Sequence, residues 1–401
     1  MEGNPHGMTV GFPRMHKEVG ERRDFLPDLV ATVARAGAEV VVEEGIGSGM
    51  GLADVDYTSR SDRIRTGSNA EAFAQDIVVT LRCPEADEFE KVRPGATLVS
   101  MLHYSTRPAR ISALETAGIE AVSLDGIVDD AGRRLVVNAK GVAWNGLEAA
   151  FDLLEATWHP LRTAARGPVQ VLVMGIGTIG RHAVEAASKF GSEERCRAFM
   201  AEDLPGVVVR AVGRTVTDDE GTMRELFATT DVLVDASQRD DPSRPLVPNV
   251  WLAALPSHTV ICDLVVDPYL LDADPPTVRS IEGIPRGDLD RFGFASDHPA
   301  WCDTIPAGIP TEHRRHVVSC YSWPGVRPHE CMELYGAQLG PLLEVLLERG
   351  GATGLRADGR YQERALQRAR LQTWLGQGRS ARHGGRGPLI DAESAYHDAV
   401  R

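Results

Sequence analysis

The chain has 401 residues, of which 43% are hydrophobic and 25% charged, and a formal net charge of −14. Two domains, each burying a core of its own, suit that length, and the balance excludes a wholly disordered chain. The acidic excess excludes a general nucleic-acid binder, which needs a basic face, and no apolar run approaches the ~18 residues that span a bilayer.

In chain order, strand-like and helix-like stretches alternate. MTVGFP is a short apolar run closed by a proline. From Leu26, apolar residues recur at Leu29, Val30, Val33 and Ala34, the spacing of a helix with one buried face. AEVVVEE, DIVVTLR (76–82), ATLVSML (96–102) and EAVSL (120–124) read as buried strands. Strands alternating with helices imply a parallel sheet with right-handed crossovers. The stretch from Trp144 to about Thr163 reads as a long helix leading into a second α/β series. That series holds the strands VQVLVMG, VVVRAV (207–212), DVLVDAS (231–237) and TVICDLVV (259–266). After about Arg315 the pattern changes to HVVSCYSWPGV and then to the helix ECMELYGAQLGPLLEVLLERGG, ended by a glycine pair. The tail from Gly376 is basic and glycine-rich and reads as flexible.

Gly175-Ile176-Gly177-Thr178-Ile179-Gly180 is a G-x-G-x-x-G set between an apolar strand and a helix, the pattern that binds a dinucleotide pyrophosphate. Gly175, Gly177, Thr178, Ile179 and Gly180 are the expected contacts, with Ser237 after a later strand. The glycines of Gly45–Gly51 lack the third-glycine spacing and read as a plain turn. The second strand runs into Gly213-Arg214 and carries no terminal carboxylate to hold a ribose hydroxyl. Arg214 suits a 2′-phosphate, so NADP is the expected cofactor with NAD left open; a solvated charge is the plain alternative. The six cysteines are scattered without C-x-x-C or metal-ligand spacing and read as reduced thiols. No metal is expected. The segment MEGNPHGMTVGFPRMHKE shows no basic-then-apolar export pattern, so a cytoplasmic protein is expected.

These motifs resemble the alanine dehydrogenase / nicotinamide nucleotide transhydrogenase α-subunit superfamily, with its lysine-forming saccharopine dehydrogenases. GFPRMHKEVGERRDFLP is similar to the opening segment of that group, LRCPE with LVSMLHYS to its KEP…LH segment, and DHP (297–299) and WPGVRP (323–328) to later segments. SLDGIVDDAGRRL resembles the saccharopine dehydrogenase branch more closely. The resemblance implies that Arg22 grips a substrate carboxylate, His103 is the catalytic histidine, Asp267 lies near the nicotinamide and Ser322 on the nicotinamide side. One departure matters: the position of the substrate-binding lysine, 21 residues before the histidine, is Arg82. A guanidinium can hold a carboxylate but cannot shuttle a proton.

The expected architecture is α/β with two Rossmann-like domains. A discontinuous substrate domain (1–140 plus 316–375) surrounds an inserted NAD(P)-binding domain (141–315), and 376–401 is a flexible tail. The expected activity is NAD(P)-dependent chemistry at the C–N bond of an amino acid. Arg22 and Arg82 form the carboxylate clamp, His103 moves the proton, and Asp267 orients water or offsets charge. A saccharopine-type condensation of an amino acid with a 2-oxo acid leads, because two arginines suit two carboxylates. An alanine-dehydrogenase-like enzyme and a non-catalytic nucleotide-binding regulator are the alternatives. The partners are a small-molecule amino acid and 2-oxo acid, with no nucleic acid and no membrane; a homo-oligomeric state stays open.

Overall fold

Runs such as Val40-Val41-Val42 and Ile77-Val78-Val79 are apolar on successive residues, so both faces of any strand they form must be covered, as in a parallel sheet. The computed structural model, which describes residues 7–15, 18–239, 241–273 and 275–383, bears this out. Two sheets form. The first holds β1 (Thr9–Phe12), β2 (Glu39–Glu43), β3 (Ile64–Gly67), β4 (Ile77–Arg82), β5 (Thr97–Met101) and β6 (Glu120–Ser123), in the order 3-2-1-4-5-6 and all parallel. The second holds β7 (Val169–Met174), β8 (Val207–Val212), β9 (Val232–Asp235), β10 (Val260–Asp263), β11 (Gly293–Phe294) and β12 (His316–Ser319), in the order 11-12-10-9-7-8. Only β11 runs antiparallel. The fold is therefore α/β with two Rossmann-like sheets.

Chain contacts divide the described residues into two units, one falling within 1–17, 21–137 and 328–401, the other within 18–20 and 138–327. Each sheet of the described residues is covered on both faces. In the first unit one core gathers Val10, Val40, Val99 and Val122 with Leu339, Leu343 and Leu346 of the helix Pro328–Glu348. The opposite core holds Val78, Leu98, Ala121 and Leu371. In the second unit Val171, Val173 and Val260 lie on one side, and Leu172, Leu233 and Ile261 on the other. None of the described helices is long and apolar enough to cross a membrane.

Three sequence expectations need correction. The stretch 316–327 does not return to the first unit: β12 pairs in parallel with β10 from His316 beside Val260 to Ser319 beside Asp263, and the Trp323 indole N–H donates to the Asp263 carbonyl at 2.7 Å. The returning segment starts at Pro328. The long helix spans Ala139–Thr157 rather than 144–163, because the Asn138 side chain caps it by accepting from the Gly141 N–H. The tail does not begin at Gly376; the helix Leu371–His383 runs through that position, anchored by Leu371 in the core and by Trp374 against Tyr104. Residues 384–401 of the expected tail lie outside the described residues.

Leu339 has no exposed surface, and truncating such a side chain costs ~2–5 kcal/mol in transfer and cavity terms. Leu339→Ala should lower stability by that amount in urea melts followed by circular dichroism. Leu334→Ala on the same helix, where the side chain is exposed, should stay within ~0.5 kcal/mol of the parent.

Candidate functional site

At the end of β7 the chain turns through Gly175 with φ +100°, a left-handed conformation that favours glycine. A Cβ there would lie 2.3 Å from the Ala236 carbonyl, and one on Gly180 would lie 1.9 Å from the Gly175 carbonyl. The helix Thr178–Ser188 is thus seated directly on the turn. A Cβ on Gly177 would meet nothing within 4 Å. Gly177 and Thr178 are exposed, and no side chain caps the helix start. Free N–H groups and the helix dipole there suit an anion, and the bare Gly177 backbone lets a pyrophosphate approach. The residues present fit a dinucleotide.

The neighbouring strand ends complete this edge. Ile176 reaches beside Gly213, and Arg214 opens a short helix directly after β8, with its Nη2 3.5 Å from the Gln238 carbonyl. Ser237 follows β9, but its hydroxyl is committed to the protein, donating to Asp235 Oδ1 at 2.6 Å and lying 3.1 Å from Ser280 Oγ. Ser322 follows β12, with its N–H toward Cys320 Sγ at 3.5 Å. Gly175, Gly177, Thr178, Ile179, Gly180, Arg214 and Ser237 therefore share the carboxyl edge of β7, β8 and β9, and Ser322 lies farther along the same sheet. Asp267 stands in the loop after β10, one-third exposed, with Oδ2 accepting from Arg239 Nη2 at 2.5 Å.

Sequence reasoning missed two carboxyls beneath this edge. Asp235 and Asp263 end adjacent strands side by side. Asp263 Oδ2 accepts from Arg279 at 2.7 Å and from Ser319 at 2.9 Å, whereas Asp235 Oδ2 has no hydrogen-bond partner. Burial, and then the neighbouring Asp263, push the Asp235 carboxyl up to about 6.

In the first unit, Arg22 and Arg23 have separate fates. Arg23 is fully buried, its guanidinium forked onto Glu21 at 2.6 and 2.8 Å; Arg22 is exposed. Burial pushes Glu21 up, but its bonds from Arg23, with a contribution from the Arg82 charge, hold it below its ordinary value. Arg82 ends β4 after a bulge, where the Leu81 and Arg82 N–H groups turn to Met15 Sδ at 2.6 and 3.4 Å. Bulges re-aim the side chains that follow them. His103 follows β5 with φ +50°, an uncommon conformation outside glycine, and its ring is half-exposed. Its Nδ1 lies 3.4 Å from Asp125 Oδ2, and its backbone N–H donates to Asp125 Oδ1 at 3.1 Å. Leu102 N–H and Ser123 Oγ donate to the same oxygen. Burial pushes Asp125 up, yet these bonds and the His103 charge outweigh it and hold the carboxyl well below its ordinary range.

Asp125 was not among the sequence candidates. Its one local signal was its place just past a buried strand, in SLDG. The aspartates that follow it are structural: Asp129 accepts from the Ala131 and Arg133 N–H groups and pairs with the Arg133 side chain, and Asp130 pairs with Arg364 and Arg368. The glycines at 45, 47 and 51 form a plain left-handed turn, with the Gly47 N–H donating to Asp24.

Two outcomes test this edge. Gly177→Ala should fold normally yet bind NADH or NADPH at least ~10-fold more weakly, since its Cβ enters only the space a phosphate would take; Gly180→Ala should lower the melting temperature as well, both read by fluorescence titration and calorimetry. Between its ordinary 3.8 and about 6, Asp235 keeps its proton only in the folded state, so its contribution to stability falls as pH rises through that window, on the order of 3 kcal/mol in full. Asp235→Asn should therefore out-melt the parent above pH ~6 and lose that advantage toward pH ~4 in thermal scans.

Residues 13–140 match the family model "Alanine dehydrogenase/PNT, N-terminal domain". The chain is 23% identical over 352 residues to the NAD(P) transhydrogenase subunit alpha of Haemophilus influenzae, a match covering 84% of this chain and 66% of that subunit. It is 23% identical over 274 residues to the alanine dehydrogenase of Mycolicibacterium smegmatis, covering 65% of this chain and 73% of that enzyme. Among solved structures, an L-alanine dehydrogenase aligns with TM-score 0.67 at 19% identity, covering 90% of this chain and 94% of its own. The transhydrogenase from Sinorhizobium meliloti aligns with TM-score 0.58 at 20% identity, covering 85% and 94%. The resemblance to the alanine dehydrogenase/transhydrogenase group is borne out: residues 13–140 match its N-terminal domain model, and the chain shares the fold of alanine dehydrogenase over most of its length.

Proposed function

We propose that this protein is an NAD(P)-dependent amino-acid dehydrogenase that interconverts a small amino acid with its 2-oxo acid and ammonia. The observation that carries the reading is the His103–Asp125 couple at the carboxyl edge of the first sheet. The relatives support alanine-dehydrogenase-like chemistry better than the saccharopine-type condensation that SLDGIVDDAGRRL suggested, and Asp129 and Asp130 of that segment are engaged in structural pairs.

Each residue then has a role set by its chemistry. Arg22 and Arg82 hold the α-carboxylate, since a planar fork binds it in two places and fixes the plane of the reacting carbon. Neither arginine can exchange a proton, so proton traffic falls to His103. With Nδ1–H directed at Asp125, the tautomer is set and Nε2 is the atom that works. In the oxidative direction Nε2 takes the proton of the water that adds to the iminium carbon, and Asp125 steadies the imidazolium. In the reductive direction the same nitrogen returns it. The nicotinamide, when bound through Gly175–Gly180, accepts or supplies the hydride. Arg214 at the end of β8 favours a 2′-phosphate, so NADP(H) is the preferred form.

The test is the oxidation of NADPH and NADH by purified protein given pyruvate or 2-oxoglutarate, with ammonia, lysine or ornithine in turn. Ammonia-dependent turnover is expected. A requirement for lysine or ornithine would restore the saccharopine-type reading, and nucleotide binding without turnover would make the protein a regulator. His103→Ala should lower kcat by the ~10²–10⁴ of a lost general acid/base. Asp125→Asn should lower kcat at least ~10-fold with nucleotide affinity unchanged.

A further inference from the structure

Three features converge on Asp267. Val266, immediately before it, is β-branched yet adopts φ +58°, a left-handed conformation that such a side chain disfavours and that persists only when its surroundings impose it. The surroundings are explicit: Asp263 Oδ1 accepts the N–H groups of Val265 at 3.1 Å and Val266 at 2.9 Å, while Arg279 and Ser319 hold the other Asp263 oxygen. Arg239 meets Asp267 from the loop after β9. Its buried guanidinium donates from Nη2 to Asp267 Oδ2 at 2.5 Å and to the Val278 carbonyl at 2.7 Å, and from Nη1 to the Arg244 carbonyl at 2.5 Å. Anchored on carbonyls, the guanidinium offers the carboxylate one N–H in one direction. The other oxygen, Asp267 Oδ1, takes no hydrogen bond from any described residue, and the side chain is one-third exposed.

We infer that Arg239 is a positioning residue: it fixes Asp267 through Oδ2 against the strained Val266 turn, so that Oδ1 is left to accept a hydrogen bond from a ligand at the carboxyl edge of the second sheet. This rests on the dehydrogenase reading above. A lysine would not replace Arg239, because a single ammonium cannot span Asp267, Val278 and Arg244 in one plane. The strain at Val266 follows the same logic, since a relaxed turn would let Oδ1 wander from its aim.

The experiment is a double-mutant cycle in the full-length protein, with Arg239→Gln, Asp267→Asn and both together. The readouts are kcat, substrate KM, nucleotide Kd and melting temperature. Arg239→Gln should lower kcat ~10–100-fold while nucleotide Kd stays within ~3-fold, and it should have no further effect on kcat once Asp267 is Asn. Arg239→Lys should not rescue kcat. Val266→Gly, which relieves the turn and does not depend on how well the Arg239 variants fold, should raise the melting temperature and lower kcat ~5-fold or more. An unchanged kcat in Arg239→Gln, or an equal loss with and without Asp267, overturns the inference, as does a Val266→Gly variant of full activity. Absence of turnover in the parent would instead remove the dehydrogenase reading, and this inference with it.

Discussion

A parallel strand whose two faces are both covered by apolar cores has no room along its length for an unpaired charge, so ionisable groups gather where strands end. Both sheets obey this constraint. Arg82 closes β4, His103 and Asp125 follow β5 and β6, and Asp235 and Asp263 close β9 and β10. The carboxyl ends are also where α/β sheets place their ligands. Chemistry and fold therefore meet at one edge of each sheet for the same reason: central strands buried on both faces leave little room for a charge along their length.

Within those edges, charge is held in place by arginine. Lys17, Lys91, Lys140 and Lys189 are the only lysines in the chain. Arg23, Arg239 and Arg279 each bury their guanidinium against a carboxylate: Arg23 forks onto Glu21, while Arg239 and Arg279 give one nitrogen to Asp267 and Asp263. A guanidinium orients an anion but keeps its own protons, and Arg82, the proposed carboxylate clamp, shares that property. In the proposed reaction proton transfer therefore falls to His103, whose Nδ1 lies 3.4 Å from Asp125 Oδ2. Asp235 is the exception in the second sheet. It has no arginine and an unpartnered oxygen, and it stays protonated into a range where Asp263 beside it is satisfied by Arg279 and Ser319.

Backbone strain marks the same places. Of the four non-glycine residues with positive φ among the described residues, His103 is the proposed acid/base and Val266 precedes Asp267. In each case hydrogen bonds to a neighbouring aspartate, Asp125 or Asp263, hold the strained backbone. The glycine turn solves the complementary problem, placing backbone against backbone at Gly175 and Gly180 while leaving Gly177 bare.

The buried strands, the glycine turn with its helix and the glycine pair closing the helix Pro328–Glu348 were determined by sequence alone, because β-branched runs, glycine spacing and helical periodicity are local properties. Edge strands were harder to read: β3 is Ile-Arg-Thr-Gly, with no apolar run to announce it, and β12 looked like part of the returning segment until its pairing with β10 was visible. Only tertiary structure decided which charges meet. His103 finds Asp125 across 22 residues and Arg239 finds Asp267 across 28, while Arg23, adjacent to the exposed Arg22, is withdrawn into the core by Glu21. The His103–Asp125 and Arg239–Asp267 pairs depend on where the strands bring their ends together in space, and nothing in the local pattern of either partner encodes the other.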